Sequence, residues 1–239
     1  RLDPRQHALQ DLFQGDTLPA KLGRALMELK AVDRKECFET FEFFSQVRSS
    51  TASSSAAGAR TLVDVAGGHG LLAVLFAVFE RRKFDHVLVV DTQRPAAFDK
   101  VLAAGKQVAP WVQVEYISGP EADMFKSEGA LLLPTGCAVV CVHGCNKLTD
   151  AVIAAASSAS CASIGVMPCC YAHVAEDAPR ALRQSLGVAL AADVHRTYTL
   201  EGLGYDVKWR AIPSSITPLN RLLLARRREH ERDAPCECV

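Results

Sequence analysis

Between residues 61 and 226 the hydrophobic positions switch repeatedly between two patterns. Short unbroken apolar runs mark strands buried on both faces, and apolar residues recurring every three or four positions mark amphipathic helices. Strands are predicted at 61–65, 86–90, 111–117, 139–142 and 162–167, and a final pair at 205–212 and 221–225 flanks the turn-forming stretch PSSITPLN. Helices are predicted at 71–79, 95–108, from Thr149 to about 159, and as one long element over 178–199. Alternating strands and helices closed by a hairpin predict an α/β fold, an open twisted sheet of about seven strands with helices on both faces and an antiparallel last strand. Upstream, two helices are expected at 18–29 and 34–47. The second carries an apolar stripe of Phe38, Phe41, Phe43, Phe44 and Val47, which suits core packing. The low-complexity run SSTASSSAA at 49–57 is expected to link them flexibly to the first strand. The pattern divides the chain into a helical extension and linker (1–60), the sheet domain (61–226) and a basic, cysteine-containing tail (227–239).

The most informative stretch is TLVDVAGGHGLLAVLFA, residues 61–77. A β-branched run holding one acid, Asp64, stops at Gly67 and Gly68, and a helix begins just past His69 and Gly70. Strand, glycine turn and helix together let a ligand approach bare backbone at the positive end of a helix. Glycines serve many ordinary strand-to-helix turns, so the turn alone leaves the matter even. The next strand closes on Asp91, roughly 20 residues on, where doubly wound nucleotide-binding folds place a carboxylate for ribose hydroxyls. A helix cap is the plainer role for Asp91, but with the turn upstream the ribose role is favoured.

Composition is that of an ordinary globular chain: 239 residues, 49% hydrophobic and 23% charged. The formal net charge is zero, so no global field would hold a nucleic acid by counterion release alone. An RNA substrate would therefore need a local patch, such as Arg226, Arg227, Arg228 and Arg232, or a partner. No apolar run is long enough to span a membrane. Nine cysteines, an odd number set mostly in or beside predicted core strands, argue against a disulfide framework and for a reducing, intracellular compartment, mitochondrial or cytosolic. No metal site is expected. Cys137, Cys141, His143 and Cys145 share one parity, but a strand spaces same-face neighbours about 6.8 Å apart, too far for consecutive ones to share a zinc. Cys236 and Cys238 have no matching pair.

LVDVAGGHG, then VVD, CVHGCNKLTDAVIAAA, VMPCCYAH and IPSSITPLNRLLLA together resemble a class I S-adenosylmethionine-dependent methyltransferase. More narrowly, the chain is similar to a branch whose fourth strand reads His-x-Cys-(Gly or Asp)-x-x-Thr-Asp and whose fifth ends in Pro-Cys-Cys-(Tyr or His). That branch includes methyltransferase-like proteins, the glutathione S-transferase C-terminal-domain-containing protein and, more distantly, a tRNA ribose methyltransferase. The resemblance covers 61–226. It implies a Rossmann-like fold and S-adenosyl-L-methionine as cofactor. Asp64, Ala66, Gly67, Gly68 and Gly70 would hold its methionine end and Asp91 its ribose, with the adenine near Ser118. His143, Cys145 and Asn146 would line the mouth of the fourth strand near the reactive methyl, and Pro168, Cys169, Cys170 and Tyr171 the adjoining wall.

Two departures bear on activity. Ala66 stands at the first glycine of Asp-x-Gly-x-Gly-x-Gly, where a methyl group would crowd the cofactor or demand a backbone angle alanine dislikes. Asn146 stands where an acid or glycine is common. The functional expectation is methyl transfer to RNA, ribosomal or transfer. The alternative is a catalytically weak or inactive subunit with a structural role in a ribonucleoprotein or other large assembly, such as a mitochondrial ribosome. A nicotinamide oxidoreductase shares the glycine turn, but the antiparallel last strand argues against it.

Overall fold

The computed structural model describes residues 2–3, 11, 13–53, 60–171 and 177–228. Residues 54–57 of the expected linker, and Arg232, Cys236 and Cys238 of the tail, lie outside them.

Two helices open the described chain, α1 (Leu18–Glu28) and α2 (Arg34–Val47). Then come β1 (Thr61–Val65), α3 (Leu71–Phe79), β2 (His86–Asp91), α4 (Ala97–Val108), β3 (Glu115–Ser118), α5 (Ser127–Leu131) and β4 (Ala138–Cys141). They are followed by α6 (Leu148–Ser158), β5 (Ser163–Val166), α7 (Arg180–Leu186), α8 (Val188–Gly202), β6 (Tyr205–Ala211) and β7 (Arg221–Arg227). The seven strands form one sheet in the order β3-β2-β1-β4-β5-β7-β6. β1 to β5 run parallel, and β7 lies antiparallel to both β5 and β6. The order reverses between β1 and β4, and the carboxyl ends of strands at such a switch point are where open α/β sheets bind ligands.

Alternation along each strand sorts the core into two layers. On one face Leu62, Val87, Val89, Ala138 and Val140 pack with α1, α2, α3 and α4, and on the other Val63, Val65, Val139 and Ile164 pack with α6 and α8. The phenylalanine stripe of α2 enters the first layer: Phe43 and Val47 are fully buried, and the Phe44 ring meets Phe76 of α3 edge-on at 5.0 Å. The two N-terminal helices thus share the sheet's own core. The start of the expected linker is also tied down, since Ser163 Oγ donates to Ala52 O (2.7 Å) and Ser53 Oγ to Gly136 O (3.0 Å).

The elements differ from the expected ones chiefly in four places, one being the last strand, which runs past Ala225 and takes Arg226 and Arg227 into the sheet. β3 starts at Glu115 rather than residue 111, because Trp111 is 44% exposed and lies under the Arg81 guanidinium at 4.4 Å instead of entering the sheet. The single helix expected at 178–199 is two, broken at Gly187, whose φ of +75° interrupts a helical backbone. The short helix α5 carries no apolar periodicity long enough to announce itself.

Candidate functional site

The turn after β1 is held by its own backbone and by two side chains from neighbouring strands. Ala66 N donates to Val90 O (2.8 Å) and Gly70 N to Gly67 O (2.7 Å). Gly68 N donates to Asp91 Oδ2 at the end of β2 (2.9 Å), and the single hydroxyl proton of Tyr116 on β3 is shared between Gly68 O and Gln93 O, each 2.9 Å from Oη. Ser118 closes β3 directly beside Asp91 in the ladder. Asp64, Ala66, Gly67, Gly68, Gly70, Asp91 and Ser118 are therefore brought to one edge. A β-carbon on Gly67 would lie 2.8 Å from the Asp64 carboxyl and from Val89, so this glycine serves the packing of the turn itself. Gly68 (φ +51°) faces open space, which leaves room for a ligand.

Asp64 is fully buried. Its Oδ2 accepts from Ala73 N (3.2 Å), and its Oδ1 has no hydrogen-bond partner. Burial pushes its carboxyl up to about 8, partly opposed by the Ala73 bond.

The loop after β4 holds the second group. Thr149 Oγ1 donates to Gly144 O at 2.6 Å and draws the loop back onto the start of α6. His143 (φ +92°) and Asn146 (φ +53°) both sit in the left-handed region that non-glycine residues rarely occupy. His143 Nε2 and Asn146 Oδ1 are buried without hydrogen-bond partners. Burial lowers the pKa of His143, against the pull of the Glu39 and Glu36 carboxylates, so the imidazole is neutral at neutral pH. Cys145 Sγ lies 2.9 Å from Cys169 Sγ at the exit of β5. Cys170 beside it is exposed rather than a buried hydrophobe.

Reasoning from sequence overlooked the side chains that join these loops. Glu36 and Glu39, one turn apart on α2, face His69 at 3.5 Å and His143 at 3.6 Å. Because His69 Nδ1 accepts from Leu71 N (3.2 Å), its Nε2 carries the proton and points at Glu36. Also missed was the anchor behind the β5 exit. Asp193, fully buried on α8, accepts from Tyr171 Oη (2.8 and 3.0 Å), Arg196 (3.3 Å) and Arg221 (2.8 Å), and Arg196 reaches on to Asp150 at 2.7 Å.

Among the described residues six buried side-chain polar atoms lack a hydrogen-bond partner, and three of them are Asp64 Oδ1, His143 Nε2 and Asn146 Oδ1. An orphaned buried polar atom costs about 1–3 kcal/mol, so three at one edge mark a place where a ligand's polar groups belong. An acceptor at Asp64, a half-buried carboxylate at Asp91 and open space at Gly68 fit a ligand with an ammonium group at one end and ribose hydroxyls at the other.

A protein-family model described as a methyltransferase domain matches residues 34–177. No curated protein matches. Among solved structures, the chain is similar to an rRNA methylase from Streptococcus thermophilus (12% identity, TM-score 0.49, covering 83% of this chain and 99% of that one). It is also similar to the magnesium protoporphyrin IX methyltransferase of Synechocystis with bound SAH (13% identity, TM-score 0.45, covering 95% and 96%).

Proposed function

The chain belongs to the methyltransferase-domain family, and from that premise we propose that it transfers a methyl group from S-adenosyl-L-methionine to RNA. The observation that carries the reading is the trio of orphaned buried atoms at the carboxyl edge of β1 and β4. Asp64 would take the ammonium of the methionine end, a cation that restores the ionised form of a carboxyl that burial otherwise keeps protonated. Asp91 would accept from the ribose hydroxyls while keeping its bond to Gly68 N. Ser118, at the end of the neighbouring strand, would border the adenine.

When bound, the cofactor supplies a methyl group on a sulfonium, and orienting an acceptor in line with it provides most of the acceleration. The chain's contribution to proton movement is His143, neutral and with Nε2 free of hydrogen bonds. It would take the proton of a hydroxyl acceptor such as a ribose; a base nitrogen needs no such help. Glu39 at 3.6 Å would then stabilise the imidazolium. Asn146, presenting Oδ1 beside it in sequence, would orient the acceptor by accepting from a donor on it. RNA as the acceptor rests on the motif resemblance at the exits of β4 and β5. The reading as an inactive assembly subunit is not favoured, since a fold kept for assembly alone has no need of orphaned acceptors at the ligand edge.

The test is equilibrium binding of S-adenosyl-L-methionine, followed by transfer of labelled methyl to total RNA. Saturable binding with label in RNA is the expected result. Binding with label in protein or small molecules instead would redirect the acceptor, and a well-folded chain without binding would overturn the whole reading.

A further inference from the structure

The three sulfurs at the exits of β4 and β5 are placed by topology rather than by local sequence. β4 and β5 are parallel neighbours, Cys141 paired with Val166, so both leave the sheet at the same edge. Cys145 lies four residues beyond the first strand, and Cys169 and Cys170 three and four beyond the second. The loops are stapled by Asn146 N donating to Cys170 O (3.2 Å), and the second is anchored through Tyr171 to buried Asp193. The sulfurs of Cys145, Cys169 and Cys170 all lie within 4.8 Å of one another. Cys145 and Cys170 are exposed and Cys169 is half-buried, so ions reach the group from solvent. Cys137 and Cys161 show what a plain core pair looks like: both are buried, 3.4 Å apart, with no third thiol beside them among the described residues.

We propose that Cys145, Cys169 and Cys170 form a three-thiolate site for a soft divalent cation, zinc, bridging the β4 and β5 loops and leaving its fourth position open. The expectation of no metal considered cysteines along one strand, whereas these ligands come from two. At a Zn–S bond of about 2.3 Å, tetrahedral ligands stand about 3.8 Å apart. Cys169 and Cys170 already stand at 3.8 Å, while Cys145 and Cys169, at 2.9 Å, must open by about 0.9 Å to admit the ion. Thiolate sulfur selects zinc over magnesium or calcium. Three protein ligands with an exposed side are the arrangement of zinc sites that bind an exogenous donor, here a water to begin with. Burial raises the pKa of Cys145 and Cys169, so both are thiols in the empty site, and binding one Zn²⁺ releases up to three protons to solvent with no redox change. Affinity therefore rises with pH.

The test uses the full chain, reduced and stripped of metal, titrated with Zn²⁺ and, for its spectrum, Co²⁺; neither readout requires methyl transfer. One equivalent bound, with the visible bands of tetrahedral cobalt and sulfur-to-cobalt charge transfer, is expected. Cys145→Ser or Cys170→Ser should each weaken binding by well over about tenfold, the loss that removing even a hydrogen-bond partner of a ligand can cause. Cys236→Ser with Cys238→Ser should leave it unchanged, and circular dichroism confirms that each variant folds. The proposal is overturned if the reduced chain takes up no stoichiometric metal, if binding survives Cys145→Ser and Cys170→Ser together, or if the tail variant abolishes it. A Cys145–Cys169 disulfide in the isolated chain, with no metal uptake after reduction, would overturn it too and assign the cluster to thiol chemistry.

Discussion

The carboxyl edge of the sheet has two halves, and they are held by different means. Around β1, β2 and β3 the turn is fixed from within: Gly68 N on Asp91, Tyr116 Oη on Gly68 O, and Gly67 fitted against Asp64. Around β4 and β5 the front of the site is left unsatisfied, with His143 Nε2 and Asn146 Oδ1 lacking hydrogen bonds and three thiols in contact. The second half is held from behind by charge, through Asp193, Arg196, Arg221 and Asp150. A ligand entering the first half meets a preformed backbone, which lowers the ordering cost of binding. The second half keeps its hydrogen-bonding capacity for whatever arrives.

The largest effect should come from breaking the charged anchor. Asp193→Ala removes one of the two carboxylates beside Arg196, only 2% exposed, and deprives Tyr171 and Arg221 of their acceptor. Removing one partner of a buried ion network costs about 3–5 kcal/mol, to be read from denaturant unfolding. A loss under about 1 kcal/mol would show that apolar packing, not charge, holds this half.

Next in size is Asp91→Ala, which attacks the preformed half. Cofactor affinity should fall by about 1.5–3 kcal/mol, roughly tenfold to a hundredfold, because a charged acceptor of hydrogen bonds is lost. Calorimetric titration of the folded variant measures it, and unchanged affinity would remove Asp91 from the site.

The two halves were also unequally legible in the sequence. Asp64, the glycines and Asp91 could be found because a local motif, strand, turn, helix, strand, acid, carries its own geometry. His143, Cys145 and Asn146 were visible only through a resemblance, and the close contact of Cys145 with Cys169 and Cys170, 24 and more residues away, comes about only once β4 and β5 pair. Glu36 and Glu39 were hidden for the same reason. Nothing local says that α2 lies over the ligand edge, and the phenylalanines that put it there spoke only of a core. The central strands were readable because each is a nearly pure apolar run, whereas the break at Gly187 turned on one backbone angle.

A pH series separates the halves further. The Asp64 carboxyl is raised by burial from 3.8 to about 8, so the folded state binds a proton that the unfolded chain has lost between those values. Its contribution to stability is whole below pH 3.8, falls as pH rises through that window, and levels off above about 8. Asp64→Asn removes the titration, so its stability relative to wild type should climb with pH across the window, at most about 1.4 kcal/mol per unit. A constant difference between the two proteins would mean that Asp64 is ionised in the free fold, already paired.

The smallest effect is the most discriminating, because it falls on the one strained joint of the preformed half. Ala66 adopts φ +52°, a left-handed angle that costs an L-residue about 1–2 kcal/mol and glycine nearly nothing. Against this, glycine gives the unfolded chain more freedom, which takes back about 0.4–1 kcal/mol. Ala66→Gly should therefore raise stability by no more than about 1.6 kcal/mol, a shift of at most roughly 3–6 °C in melting temperature at this chain length. Cofactor affinity, measured on the same variant, tells two causes apart. If the methyl group itself obstructs approach, affinity tightens as well. If the angle is already the one the ligand needs, stability rises and affinity stays the same, which would show that alanine at this position costs the fold a little and the site nothing.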